Sequence, residues 1–218
     1  MNEKSWDIIV VGGGHAGIEA ALIASKLGCT VAIITMDKSA LGRMSCNPAI
    51  GGLAKGQMVR EIDMLGGVMA KTTDVCALQI KTLNKKKGRA VWSPRAQVDK
   101  RKYEKEITKT IQRSNINIVV DEAVSILIKN NAVLGFKLRS KNKVYCQCAI
   151  ITAGTFLSGI VHIGERKILA GRMGEERSEG LTKSLTSHGF KSERLKTGTP
   201  PRLVKNTINW NKAKISLR

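Results

Sequence analysis

Apolar residues along the chain fall into short runs of two kinds, and the first is the most regular. Residues 6–11 are almost wholly apolar, break into Gly12-Gly13-Gly14-His15-Ala16-Gly17, and resume as Ile18-Glu19-Ala20-Ala21-Leu22-Ile23-Ala24. This order reads as strand, tight turn and helix, and the apolar run at 30–35 completes one βαβ unit over about residues 5–35. Residues 36–57 are polar, glycine-rich and without period, a length that in a compact domain marks a functional segment more often than a connector. Met58, Ile62 and Leu65, on one face, predict a helix over about 55–65 that ends at Gly66-Gly67. A strand is expected at 75–83. The four-residue repeat of Tyr103, Ile107 and Ile111 predicts an amphipathic helix over 97–113, its apolar face turned inward. Residues 116–120 read as a further parallel strand. Alternating segments at 123–129, 132–140 and 143–151, the first two joined at Asn130-Asn131, predict a β-meander over about 122–151. The fold class that follows is α/β: a doubly wound parallel sheet with an antiparallel meander as crossover.

Chemistry enters at the glycines. Gly12, Gly14 and Gly17 fit G-x-G-x-x-G, in which the first glycine permits the turn, the second lets backbone approach a pyrophosphate, and the third lets helix and strand pack closely. Phosphate sits at such a helix N-terminus because unpaired N–H groups and the helix dipole favour negative charge. The hexapeptide alone fits FAD, NAD or no ligand. The second strand ends in Thr35-Met36-Asp37, so no acid stands at its tip, and a ribose contact comes from Thr35 or from no side chain. The meander runs into Thr152-Ala153-Gly154, and this layout resembles the Rossmann-like flavin-binding domain of glutathione-reductase-like proteins.

Composition narrows the class further. A chain of 218 residues with 42% hydrophobic content can fill a core, and no apolar stretch reaches the roughly 20 residues that span a bilayer. Residues 1–4 lack the pattern of a secretion signal, so a cytoplasmic protein without membrane contact is expected. The formal charge of +20 admits two readings: a polyanionic partner, or lysines spread over a solvated surface. The basic clusters are Lys85-Lys86-Lys87-Gly88-Arg89, Lys100-Arg101-Lys102 and Arg166-Lys167, and aromatic residues hardly interleave with them. Five cysteines without C-x-x-C spacing argue against a disulfide framework or a zinc site, and no metal constellation is visible. Cys146 and Cys148, two apart in a strand, are expected on one face as buried packing.

Successive motifs carry a family resemblance. Gly12 to Gly17, then residues 44–52 (Met44-Ser45-Cys46-Asn47-Pro48-Ala49-Ile50-Gly51-Gly52), Arg95-Ala96-Gln97, Gly154-Thr155-Phe156-Leu157 and the run from Leu195 to Arg202 together resemble the MnmG (GidA) family. These are the flavoproteins of tRNA wobble-uridine modification, and the resemblance covers nearly the whole chain. It implies an FAD enzyme that works with an MnmE-type GTPase in a heterotetramer, is itself a homodimer, takes a one-carbon unit from methylenetetrahydrofolate and uses NADH as reductant. The product is an aminomethyl or carboxymethylaminomethyl group at C5 of the wobble uridine of certain tRNAs.

Carried over by position, Gly12, Gly13, Gly14, His15, Ala16 and Gly17 match the family's FAD pyrophosphate loop, and Val124 and Ser178 match further FAD contacts. His15 also reads as a first-turn residue without chemistry. Cys46 is the candidate nucleophile: a thiolate in a glycine-rich loop can add to C6 of uracil and make C5 nucleophilic, or the residue shapes the loop or lines the flavin pocket. The resemblance further implies that residues 1–218 form the N-terminal part of an FAD-binding domain, with the NADH-binding insertion and the C-terminal helical domain outside this chain. The isolated chain is accordingly expected to bind FAD weakly or not at all, and not to turn over. Two alternatives stay open: a folate- and FAD-dependent tRNA uridine methyltransferase, and a non-catalytic relic that binds tRNA through its basic surface.

Overall fold

The computed structural model describes residues 5–44, 47–198 and 203–213. The opening βαβ unit is β1 (Ser5–Val11), α1 (His15–Lys26) and β2 (Val31–Thr35). Next come β3 (Ala49–Gly51), α2 (Lys55–Met64), α3 (Met69–Cys76), β4 (Ala77–Leu83), β5 (Ser93–Val98) and α4 (Lys100–Gln112). The chain continues through β6 (Ile116–Val120), the meander β7 (Ala123–Lys129), β8 (Ala132–Leu138) and β9 (Lys143–Ile151), a small hairpin β10 (Val161–Ile163) and β11 (Arg166–Ile168), and α5 (Leu181–Ser187).

The main sheet has six strands in the order β6-β2-β1-β9-β8-β7. β1 pairs in parallel with β2 on one side (Val11 beside Ile34) and β9 on the other (Val11 beside Ile151), and β2 pairs in parallel with β6. β8 is antiparallel to both β9 and β7. Asn130 and Asn131, at φ 50° and 59°, make the left-handed two-residue turn that joins the first meander strands, a conformation asparagine tolerates well.

Two apolar cores flank the parallel strands. On one face Val10, Val31 and Ile33 meet Ile18 and Leu22 of α1 and Tyr103, Ile107 and Ile111 of α4. On the other, Ile9, Val11, Ala32 and Ile34 meet Ala123, Ile126, Phe136 and Leu138 of the meander, with Leu181 of α5 in the same core. Each fully buried large apolar side chain contributes about 1.5–3 kcal/mol, against about 0–1 for an exposed ion pair, so these cores set the fold. Glu19 fastens α1 to α3: its carboxylate accepts from the backbone N–H groups of Val68 and Met69, the latter at 2.6 Å.

Three expectations are corrected, and α2 takes an orientation that the sequence left open. The element over 75–83 begins two residues later, because Val75 and Cys76 close α3, and β4 joins a separate three-stranded sheet ordered β3-β5-β4. The helix expected from 97 starts at Lys100: Gln97 and Val98 belong to β5, and Asp99 caps α4 by accepting from Lys102 N at 3.0 Å. The face of α2 carrying Met58 and Leu65 is 58% and 77% exposed, while Gly56 and Val59 pack inward. Gly56 decides this orientation, since a Cβ there would stand 2.5 Å from the Pro94 carbonyl oxygen. Finally, Cys146 is buried in the meander-side core, but Cys148 is exposed.

Candidate functional site: a glycine cradle at the carboxyl ends of the parallel strands

β1 delivers the chain to Gly12, whose φ of +106° is one that L side chains rarely adopt. A Cβ at Gly12 would stand 2.5 Å from the carbonyl oxygen of Thr152, at the end of β9. Thr152 locks that junction, donating from N to Val11 O at 2.8 Å and from its hydroxyl to Val11 O at 3.0 Å and Gly12 O at 3.2 Å. Gly17, inside α1, rests against the Gly12 carbonyl so closely that any side chain would overlap it. Gly13 accepts from Gly42 N at 2.9 Å, which ties the loop to the segment after β2.

Gly14 differs from its neighbours. It is the N-cap of α1 with φ −74° and ψ −179°, ordinary extended backbone, and a Cβ there would meet nothing within 4 Å. No side chain caps the helix and no acid lies in its first turn. The positive end of α1 therefore opens, uncapped by any side chain, onto a cavity of about 360 Å³.

That cavity runs from Gly12, Gly13 and Gly14 past Thr35, Met36 and Asp37 at the end of β2 to Asp121, Glu122 and Ala123 where β6 turns into β7. Its remaining wall is Thr152 to Gly154 together with Phe156, Arg172, Glu175 and Ser178. Arg43 braces it, donating to Glu175 at 3.0 Å and Asp37 at 3.3 Å. Hydrogen bonds from Ser39 hold the Asp37 carboxyl below the usual carboxylate range, with Arg43 adding to the effect. Arg172 lies over the Phe156 ring at 4.9 Å. Glu122 is 8% exposed; burial alone would raise its pKa, but bonds from Arg139, Glu179 N and the Ser178 hydroxyl outweigh that and lower it.

The structure brings Gly12, Gly13, Gly14 and Ser178 to one cavity. Gly17 stands behind it as a packing residue, and Ala16 is exposed outside it. Val124 is half-buried one position beyond the lining residue Ala123, its carbonyl turned to Gly180. His15 faces the α4 side, its ring 5.6 Å from that of Tyr103, and its buried Nε2 has no protein partner. Burial, then the charge of Arg172, push its pKa down, so His15 is neutral at pH 7. Cys46 lies outside the described residues.

Arg43, Glu122, Phe156, Arg172 and Glu175 were not singled out from the sequence. Each acts through a partner far away in the chain, and only Phe156, within a flagged motif, left a local signal. Among the described residues no cluster of three or more His, Cys, Asp or Glu could hold a metal, and no helix is long and apolar enough to cross a membrane.

A glycine turn at the carboxyl ends of parallel strands, with a meander crossover, defines a doubly wound, Rossmann-type α/β protein. The profile of the family described as glucose inhibited division protein A matches residues 7–218, and the chain belongs to that family. The tRNA uridine 5-carboxymethylaminomethyl modification enzyme MnmG of Aquifex aeolicus is 46% identical over 212 residues, 97% of this chain and 34% of that protein. The enzyme of the same name from Sulfurihydrogenibium sp. is 49% identical over 209 residues, 94% of this chain and 34% of its own length. The crystal structure of Aquifex aeolicus GidA superposes with a TM-score of 0.90 over 96% of this chain and 35% of that one, at 46% identity. A GidA-related protein from Thermus thermophilus, at 16% identity and a TM-score of 0.61 over 85% of this chain and 69% of that one, shares the fold. The chain spans about a third of the length of the curated relatives it matches.

Proposed function

We propose that this chain is the nucleotide-binding portion of a flavoenzyme that modifies the wobble uridine of tRNA, and that its cradle holds the adenosine diphosphate half of FAD. The observation that carries this reading is Gly14: a helix N-terminus with no capping side chain and no acid in its first turn, open to a cavity of ligand size. FAD would supply the redox chemistry; the chain binds and orients it. Gly13 and Gly14 present backbone N–H groups and the positive end of α1 to the pyrophosphate, while the Gly12 N–H is held by the Ile34 carbonyl at 2.9 Å. Thr35 and Asp37 stand where the ribose would pass, and Ser178 and the β6–β7 junction close the adenine end. Gly17, His15 and Ala16 shape the helix behind the loop, and Val124 shapes the edge beside Ser178.

The larger reading follows the relatives' names. The complete protein would act in the cytoplasm as a homodimer with an MnmE-type GTPase, draw on methylenetetrahydrofolate and NADH, and install (carboxymethyl)aminomethyl groups at C5. Residues 1–218 would be the first part of its FAD-binding domain. Cys46 is the proposed nucleophile: its thiolate adds to C6 of uracil, the C5–C6 electron pair moves toward C5 and O4, and C5 becomes able to attack carbon. A Cys46→Ser change in the complete enzyme that leaves modification intact would remove that role. Nucleoside analysis of tRNA after deletion of the gene tests the whole reading: loss of the wobble modification supports it, and loss of a methyluridine instead would assign the chain to the methyltransferase class.

A further inference from the structure

We propose that the β4–β5 hairpin is an RNA-phosphate-binding surface, separate from the glycine cradle. The proposal rests on the tRNA reading above for the identity of the partner and on the hairpin itself for the site. Residues 77–98 contain six basic residues, Lys81, Lys85, Lys86, Lys87, Arg89 and Arg95, and no acid. Some bases elsewhere are neutralised by ion pairs, among them Arg43 with Asp37 and Glu175, and Arg139 with Glu122. No ion pair among the described residues involves Lys85, Lys86, Lys87, Arg89 or Arg95.

The tip that carries these charges is built rather than loose. Asn84 takes the left-handed conformation at φ 61°, its carbonyl accepts from Lys87 N at 2.9 Å, and its side-chain amide donates to Val91 O at 3.3 Å. The Trp92 indole donates to Lys87 O at 3.1 Å, and the Arg89 guanidinium lies 5.8 Å from the Trp92 ring. Gln57 of α2 holds the base of the tip through Trp92 O at 3.2 Å. Three consecutive exposed lysines are thus displayed on a fixed turn.

Below the tip, Lys81 of β4 and Arg95 of β5 are direct cross-strand partners. They line a cleft of about 270 Å³ with Gln79, Leu83 and Gln97. The Arg95 guanidinium gives that cleft a charged donor suited to an anion with several oxygens. A run of phosphates continuing from the cleft to Lys85–Lys87 matches both features, as an isolated small anion does not. Trp92, 39% exposed beneath Arg89, adds an aromatic plane at the rim.

The test is fluorescence anisotropy of a labelled unmodified tRNA transcript titrated with the 218-residue chain across a series of KCl concentrations. The triple variant Lys85→Gln, Lys86→Gln, Lys87→Gln should weaken binding at low salt by at least about tenfold and reduce the slope of log affinity against log salt by about 2–3. Lys129→Gln, Lys137→Gln, Lys143→Gln on the meander removes the same charge from exposed positions and should leave most of the affinity. Equal losses in the two variants would reduce the effect to net charge and overturn the proposal. Loss of polyglutamate binding with tRNA binding intact would assign the surface to an acidic protein and overturn it equally. Titration of the hairpin variant with adenosine diphosphate separates the two readings: an unchanged response leaves the cradle standing whatever the RNA result, and a parent chain without any response removes the cofactor reading alone.

Discussion

The carboxylate of Glu122, at the turn from β6 to β7, accepts a hydrogen bond at 3.0 Å from the hydroxyl of Ser178, 56 residues further along the chain. The same carboxylate accepts from Glu179 N at 2.7 Å and from Arg139 Nε at 2.5 Å. One buried charge therefore pins the segment that closes the cavity to the sheet that floors it.

Glu122→Ala should cost about 3 kcal/mol, since it leaves the Ser178 and Glu179 donors without their acceptor and Arg139 without its partner. Glu122→Gln keeps the shape but turns an amide toward Arg139, and should cost less. Because the folded-state pKa of Glu122 lies below its ordinary value of 4.5, the stabilisation is fully present above about pH 4.5 and is lost as pH falls through the folded value. Urea denaturation at neutral pH and near pH 3 should show the parent and Glu122→Gln converging in acid.

Gly14 and Gly17 belong to one motif but should respond oppositely to alanine. Gly17→Ala drives a methyl group into the Gly12 carbonyl, with Thr152 Oγ1 only 2.7 Å away, and should lower stability by at least about 2 kcal/mol. Gly14→Ala meets nothing and should change stability by less than about 1 kcal/mol while abolishing nucleotide binding. Thermal melts paired with ligand titrations of both variants check this contrast.

His15 should prove structural. Its neutral ring is buried beside Tyr103, and its folded-state pKa lies below the ordinary 6.5, so the unfolded chain takes up the proton first as pH falls. Stability contributed by the neutral ring is complete above about pH 6.5 and is lost as pH falls toward the folded value. His15→Phe should flatten the stability profile below about pH 6.5 and leave nucleotide binding within about threefold of the parent.

These sites show what the sequence could and could not reveal. The βαβ unit and the meander were legible because their apolar runs are long and alternate with the period of their own element, as in residues 6–11 and 143–151. β5 was not, because Pro94, Arg95 and Gln97 give it little apolar character; only Ser93, Ala96 and Val98 are buried. α2 was found, but its buried side was not legible, since Met58, Ile62 and Leu65 keep helical spacing while backbone contact at Gly56 decides which side lies down. The glycine loop announced the cradle from local sequence. Its bracing by Arg43, Glu122 and Arg172 depends on pairings across tens of residues, which no local period records.

The central claim is that residues 12–14 and 178 form one wall of a nucleotide site that is already in place in this chain. Its most direct measurement is a two-dimensional amide NMR titration of the 218-residue protein with adenosine diphosphate and with FAD. Saturable shifts are expected at Gly12, Gly13, Gly14 and Ser178 with both ligands, of weak affinity on the order of 0.1 mM or poorer, and absent in Gly14→Ala. Unmoved resonances at these four positions at ligand concentrations of several times that value, or equal shifts in Gly14→Ala, would contradict it.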